Sequence, residues 1–169
     1  VNEIIHMAAL VPYNNKFANK VDVLNVNLKI TYNLLRYAIK NKIKKIIFTS
    51  STDVYPLYNN KKINLKTSLN CHNDYGLSKI ASERLLKTCS DIFNISLIIL
   101  RIGPVYSEEN PNCNKISKII FDIKKNHNIQ IYNPENVVSF LNINCASKAI
   151  CKSLKVNSGT FIVAGASLN

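Results

Sequence analysis

Three short apolar runs, separated by two long stretches of helical periodicity, constrain the fold of this chain most strongly. The runs cover residues 3–7, 43–48 and 95–100, and the helical stretches cover residues 21–40 and 75–93. Near-continuous apolar strands are typical of parallel sheets, whose neighbouring strands are joined by helical crossovers. The sequence therefore predicts an α/β fold in which the three runs are adjacent parallel strands with helices on both faces of the sheet.

The rest of the chain continues with shorter elements. The patterns predict two further helices and three short strands, namely helices over residues 116–125 and 144–156 and strands over residues 129–132, 137–141 and 159–164. No linker or internal repeat interrupts them. We therefore expect a single domain over residues 1–169, with the sheet in about residues 1–105 and the start of a smaller, substrate-binding region in about residues 106–169.

The composition argues against several classes of function. The net charge is +12, but the lysines are spread along the chain instead of clustering with arginine and aromatic residues as in nucleic-acid-binding surfaces. Five Cys without a Cys-x-x-Cys pair and three scattered His predict neither a disulfide framework nor a metal site. No apolar run reaches the roughly 18 residues of a membrane span. We expect a cytoplasmic protein that binds no metal, nucleic acid or membrane.

Hydroxyl side chains follow the second apolar run, where a ligand site is expected. In open α/β sheets, ligands bind outside the carboxyl ends of the strands, and Ser50 and Ser51 stand at such an end. Tyr75 and Lys79 lie four residues apart at the start of the second helix and so share one face. An ammonium beside a phenol lowers the pKa of that phenol from about 10. A tyrosine tuned in this way exchanges protons with a substrate hydroxyl or carbonyl.

The Tyr-x-x-x-Lys spacing alone is a weak signal. In a chain this rich in lysine it is expected about once by chance, and it occurs a second time at Tyr58 and Lys62. That second pair lies in a long polar loop, whereas Tyr75 begins a stretch with an apolar helical stripe. Structural alternatives remain open, because Ser50 and Ser51 could only cap a strand and Lys79 could be a solvated helix lysine.

Six spaced motifs occur along nearly the whole chain in a characteristic order. They are His-x-Ala-Ala at residues 6–9, Asn-x-x-x-Thr with two later Leu at residues 27–35, a Ser-rich strand end with Val-Tyr at residues 48–55, Tyr-x-x-x-Lys at residues 75–79 with Glu83 after it, Leu-Arg with a later Val-Tyr at residues 100–106, and Phe-Leu-Asn-Ile-Asn at residues 140–144. This ordered set resembles the NAD-dependent epimerase/dehydratase family, the extended short-chain dehydrogenases.

The resemblance implies a Rossmann-like fold and an enzyme that transfers hydride with NAD, NADP not being excluded. It implies that Ser51, Tyr75 and Lys79 form the catalytic set, in which Tyr75 exchanges the proton and Lys79 also binds the nicotinamide ribose. The small-molecule substrate implied is a nucleotide sugar, and a homodimer is compatible with the family. The implied cofactor-binding residues are Ala8, Ala9, Asn27, Thr49, Ser50, Tyr75 and Lys79.

The chain also departs from the family pattern. It has only 4 Gly and lacks the Gly-x-x-Gly-x-x-Gly loop that turns a pyrophosphate onto a helix N-terminus. Since that loop precedes the His-x-Ala-Ala strand in the family, we expect a fragment of the domain that is inactive in isolation. Glycine or asparagine positions of the family are occupied by Pro56, Pro104 and Ser107, and its arginine before Phe140 is absent. Two alternatives therefore stay open, namely a reductase of a small carbonyl or alcohol substrate and a non-catalytic dinucleotide-binding remnant.

Overall fold

A four-stranded parallel sheet forms the centre of the molecule. In this computed structural model, residues 1–11, 20–56, 62–111, 115–128, 138–165 and 167–168 are described. The strands are β1 (Glu3–His6), β2 (Lys45–Ser51), β3 (Ser96–Ile102), β4 (Val105–Tyr106), β5 (Val138–Ser139), β6 (Leu141–Asn142), β7 (Gly159–Val163) and β8 (Ser167–Leu168). The helices are α1 (Lys20–Lys40), α2 (Asp74–Phe93), α3 (Lys115–Lys124) and α4 (Ile143–Ser153), and a 3₁₀ turn spans Thr52–Val54.

The three apolar runs form adjacent parallel strands, as predicted. The strand order is β1-β2-β3-β7, and all three pairings are parallel. Strand β2 continues past the apolar run to Ser51, because β3 also continues and pairs Ser50 with Arg101 and Ser51 with Ile102. The hydroxyl residues therefore belong to the strand end itself, and their positions are set by sheet hydrogen bonding.

Helices cover both faces of the sheet. On one face, α1 and α2 pack against β2 and β3 through a cluster that includes Leu35, Phe48 and Leu86. On the other face, Ile150 of α4 packs against a second cluster formed by Ile47, Ile98 and Leu100. Alternate residues of the central strands thus face opposite layers of helix, which explains why their sequences are apolar throughout.

The later elements differ from their predicted boundaries. The strand predicted over residues 137–141 is wrong, because β5 and β6 are separate two-residue strands in different sheets. Strand β5 pairs antiparallel with β8, whereas β6 pairs parallel with β4. Helix α4 ends at Ser153, earlier than predicted. The strand predicted over residues 129–132 lies outside the described residues.

Candidate active site

Lys79 lies buried at the carboxyl end of β2. Its side chain reaches from α2 to the sheet, where Nζ donates a hydrogen bond of 2.8 Å to the carbonyl oxygen of Thr49. The ammonium is 4.8 Å from the ring centroid of Phe48 and 5.5 Å from that of Tyr75. Only 3% of Lys79 is exposed, and burial lowers its pKa to about 8 even though the nearby Glu83 carboxylate favours the charged form. The alternative in which Lys79 is a solvent-exposed lysine on the surface of the helix is therefore wrong.

The start of α2 is held close to the turn that follows β2. Asn73 caps the helix by accepting a 2.7 Å hydrogen bond from the backbone N–H of Gly76. A Cβ atom at Gly76 would overlap the carbonyl oxygen of Asp53 and approach the Cβ of Cys71 to 2.7 Å. Only glycine allows this approach, and it brings the neighbouring Tyr75 toward Asp53. The signal in the sequence was a glycine in the first turn of a helix, where it is otherwise unfavourable.

The acid–base character of Tyr75 differs from the prediction. Burial raises the pKa of Tyr75 to about 12, and the Asp53 carboxylate adds to the increase. The expectation that Lys79 lowers this pKa is therefore wrong for the protein by itself. The physical reason is that a phenolate would have to form in a poorly solvated place beside another negative charge. At neutral pH, Tyr75 is a phenol that can donate a proton.

Ser51 stabilises the turn between β2 and α2. It is the N-cap of the turn at Thr52–Val54, and its Oγ accepts a 3.1 Å hydrogen bond from the backbone N–H of Asp53. Within the described structure, Ser51 makes no hydrogen bond to Tyr75. Ser51 therefore caps the turn that follows the strand, and its hydroxyl hydrogen remains available to a ligand. Its catalytic role stays a prediction.

Asn27 and Ser50 use their polar atoms on the protein itself. The Asn27 amide accepts a 2.6 Å bond from the N–H of Leu10 and donates to the Leu10 carbonyl at 3.1 Å and to Ser78 Oγ at 2.9 Å. Ser50 Oγ donates to Glu83 Oε1 at 2.5 Å. Asn27 therefore anchors the segment after β1, which contains the predicted cofactor residues Ala8 and Ala9. Direct cofactor contacts of all these residues stay predictions.

A polar ladder joins α1, α2 and β1 beside this site. Thr31 Oγ1 lies 3.1 Å from Ser82 Oγ, and His6 Nε2 lies 3.1 Å from the same Thr31 oxygen. Together with the Asn27–Ser78 bond, these contacts place polar residues at successive turns of both helices. His6 is buried, and burial together with the Lys79 charge lowers its pKa to about 4. The imidazole is therefore neutral at pH 7 and acts as a hydrogen-bonding group.

A buried ion pair connects α2 to β3. Arg101 donates to both carboxylate oxygens of Glu83, with Nη2 at 2.7 Å from Oε2 and Nε at 3.1 Å from Oε1. Its Nη1 donates to the phenol oxygen of Tyr55 at 2.7 Å. Neither Arg101 nor Tyr55 is among the site residues predicted from the sequence. The signals were an arginine at the end of an apolar strand and a glutamate four residues after Lys79.

The structure thus brings Thr49, Tyr75 and Lys79 into one cluster and places Ser51 at the adjoining turn. Tyr58, the alternative partner in a Tyr-x-x-x-Lys pair, lies outside the described residues. In the described part of the chain, His, Cys, Asp and Glu form no cluster able to hold a metal ion. None of the described helices combines the length and apolar character needed to cross a bilayer.

Similar proteins were found both by sequence and by structure. A protein of Methanocaldococcus jannaschii named "Putative UDP-glucose 4-epimerase" is 31% identical over an alignment of 170 positions that covers 95% of this chain and 56% of that protein. The UDP-N-acetylglucosamine 4-epimerase of Methanobrevibacter ruminantium, solved with UDP-N-acetylmuramic acid, has a TM-score of 0.85 at 25% identity and matches 99% of this chain and 56% of its own.

A third comparison extends the same fold to a structure that contains a dinucleotide. The UDP-glucuronic acid 4-epimerase of Bacillus cereus, solved in complex with NAD, has a TM-score of 0.83 at 19% identity and matches 99% of this chain and 56% of its own. The present chain therefore spans about half the length of these relatives. The model of the NAD dependent epimerase/dehydratase family matches residues 1–160, and the chain belongs to this family.

Proposed function

We propose that residues 1–169 are part of an epimerase or dehydratase that acts on a nucleotide sugar by hydride transfer, with NAD, or alternatively NADP, as the cofactor. The observation that carries this proposal is the buried Lys79 ammonium, held at the carboxyl end of β2 and 5.5 Å from the Tyr75 ring centroid. Burying a lysine is costly, so its retention beside a tyrosine at the ligand-binding edge of the sheet supports a chemical role.

The residues around Lys79 fit a dinucleotide. An ammonium has three N–H donors, and within the described residues one of them is used on Thr49. The remaining donors suit ribose hydroxyls. Ala8 and Ala9 follow β1 with short side chains that let a ligand approach the backbone, and Asn27 holds this segment through Leu10. NAD, when bound, would supply the hydride acceptor.

The protein side of the proposed reaction is proton transfer. Tyr75 Oη donates its proton to the substrate oxygen when a carbonyl is reduced and takes the proton from the hydroxyl when it is oxidised. The pKa of about 12 keeps the hydroxyl protonated at neutral pH, and proton transfer in either direction requires positive charge that stabilises the phenolate. Lys79 is placed to supply that charge, and the Ser51 hydroxyl would donate to the same substrate oxygen.

The proposal also covers the region after the sheet, the cellular location and the oligomeric state. We take residues 106–169 as the start of the substrate-binding region of a single, partial domain. The proposed enzyme is cytoplasmic, in line with the free thiols of Cys71, Cys89, Cys145 and Cys151. A homodimer stays a prediction.

The test is steady-state kinetics with UDP- and dTDP-sugars in the complete enzyme that carries this sequence. Tyr75→Phe removes only the hydroxyl, so turnover should fall by roughly 100- to 10,000-fold while cofactor affinity stays nearly unchanged. Lys79→Met should lower both turnover and cofactor affinity, because it removes the charge and the ribose donors.

The matched control is Tyr58→Phe, since Tyr58 and Lys62 share the Tyr-x-x-x-Lys spacing. Turnover in this variant should equal that of the wild type. Full activity of Tyr75→Phe, or an equal loss in Tyr58→Phe, would refute the assignment of Tyr75. Activity on small carbonyl compounds alone would favour the reductase alternative, and cofactor binding without any turnover would favour the non-catalytic one.

A further inference from the structure

Two consecutive residues of β2 are bound by two successive turns of α2. The Thr49 carbonyl accepts from Lys79 Nζ at 2.8 Å, and the next residue, Ser50, donates from Oγ to Glu83 Oε1 at 2.5 Å. Lys79 and Glu83 are four residues apart and therefore lie on the same face of the helix. These contacts attach α2 to the strand end at the point where Lys79 enters the site.

The Glu83 carboxylate is immobilised from the other side as well. Arg101 contacts both carboxylate oxygens, and in the sheet it is the residue paired with Ser50. The guanidinium also donates to Tyr55, which follows the turn after β2. All four residues are at most 8% exposed. Glu83 is thus fixed relative to both strand ends.

Stability alone does not account for this arrangement. A buried ion pair adds little to stability compared with apolar residues of the same volume, because both charges must be desolvated. Because Lys79 is buried one helical turn before Glu83, the ion pair has an effect besides stability. Two ionisable groups interact electrostatically with Lys79, namely the Glu83 carboxylate on the same helix and His6 on β1, which is neutral at pH 7. Glu83 is the group among them that favours the charged form of Lys79.

We propose that Glu83 is a positioning residue for Lys79: its carboxylate, held by Arg101 and Ser50, fixes α2 at the end of β2, so that the ammonium stays seated on the Thr49 carbonyl. This inference rests on the proposed function, which gives Lys79 its chemical role. It goes beyond that function by adding a second layer, the Ser50–Glu83–Arg101 network, which acts on the site only through Lys79.

The test is an NMR titration of the lysine side chains in the cofactor-free chain, with the Lys79 signal assigned by its loss in Lys79→Met. In Glu83→Gln, the pKa of Lys79 should fall by about one pH unit below its wild-type value, because the favourable charge is removed. Tyr55→Phe is the matched control. It removes a hydrogen bond at the outer end of the network but keeps the Glu83 charge, so the Lys79 titration should not move.

Glu83→Gln leaves the Arg101 guanidinium buried without its partner, and the variant could unfold for that reason alone. The double variant Glu83→Gln/Arg101→Met avoids an unpaired charge and should show a smaller fall in the Lys79 pKa, because a positive charge is removed together with the negative one. An unchanged titration in a folded Glu83 variant would overturn the proposal. Unfolding of both variants would also overturn it, because the network would then maintain the fold and not Lys79.

The titration separates this inference from the proposed function. It needs neither cofactor nor turnover, so a shifted Lys79 titration in an enzyme that is insensitive to Tyr75→Phe would support the positioning role and refute the catalytic one. An unchanged Lys79 titration in Glu83→Gln, together with a large loss of turnover in Tyr75→Phe, would support catalysis by Tyr75 and refute the role of Glu83.

Discussion

The two halves of α2 bury different kinds of side chain. In residues 74–83, the buried positions are small, polar or charged, namely Gly76, Ser78, Lys79, Ser82 and Glu83. In residues 84–93, the buried position is Leu86, which lies in the apolar cluster between α1, α2 and the sheet. The same helix therefore contacts the strand ends with hydrogen-bonding groups and the strand centres with an apolar residue.

This difference indicates that the polar half of α2 positions side chains at the strand ends, whereas the apolar half stabilises the fold. Buried polar groups cost free energy unless each one is hydrogen-bonded, and Ser78, Lys79, Ser82 and Glu83 all make such hydrogen bonds. Such groups define geometry more than they lower the free energy of the fold. We expect substitutions in the apolar half to change mainly the free energy of unfolding, and substitutions in the polar half to change mainly the site.

The largest effect on stability is expected for Leu86→Ala. Leu86 is fully buried, and removing such a side chain leaves a cavity that lowers the free energy of unfolding by about 2–5 kcal/mol. Chemical denaturation of the chain measures this value. Ile92→Ala is the control on the same half of the helix, because Ile92 is 68% exposed, and it should cost only about 0.5 kcal/mol. Equal losses of unfolding free energy in the two variants would contradict the assignment of stability to the buried apolar residue of α2.

The next largest expected effect is a pH dependence of the free energy of unfolding, which originates at His6 beside the polar half of α2. His6 contacts Thr31, which contacts Ser82, and its pKa is lowered from 6.5 to about 4. Below pH 6.5 the unfolded chain binds a proton at His6, whereas the folded chain stays neutral until about pH 4. The free energy of unfolding should therefore be highest above pH 6.5 and fall by about 3 kcal/mol as the pH decreases toward 4.

Other groups also titrate in this range, so the effect has to be isolated by difference. His6→Gln can keep a hydrogen bond to Thr31 but has no proton to bind. Denaturation curves between pH 4 and pH 8 should show a weaker pH dependence for this variant than for the wild type. Parallel curves for the two proteins would show that His6 contributes nothing to the acid sensitivity.

The smallest effect on stability is expected for Gly76→Ala, although its sign is informative. Helix propensity alone favours Ala over Gly by about 1 kcal/mol. Because the added Cβ overlaps the Asp53 carbonyl, we expect a net loss of about 1–3 kcal/mol, the usual cost of overpacking. Gly103→Ala is the control, since a Cβ there finds its nearest neighbour at 3.6 Å. Stabilisation by Gly76→Ala would mean that α2 does not need this close approach.

The parallel sheet and its layers were predictable from the sequence. The apolar runs that became β1, β2 and β3 are long enough and apolar enough that burial on both faces is their favourable arrangement. The order of short motifs identified the family, and Lys79 of the Tyr75–Lys79 pair lies at the carboxyl end of β2, where a ligand site was expected. The two-residue strands β5 and β6 were not predictable, because such short segments are defined by their partners β8 and β4 rather than by a pattern of their own.

The sequence by itself determined which side chains could take part in the site, and the tertiary structure decided their state. Proximity along α2 suggested that Lys79 lowers the pKa of Tyr75, but burial and Asp53, which is distant in sequence, raise it. The same holds for Glu83, whose partners Ser50 and Arg101 come from two different strands. Burial and electrostatic interactions depend on all the groups around a residue, and only the fold brings those groups together.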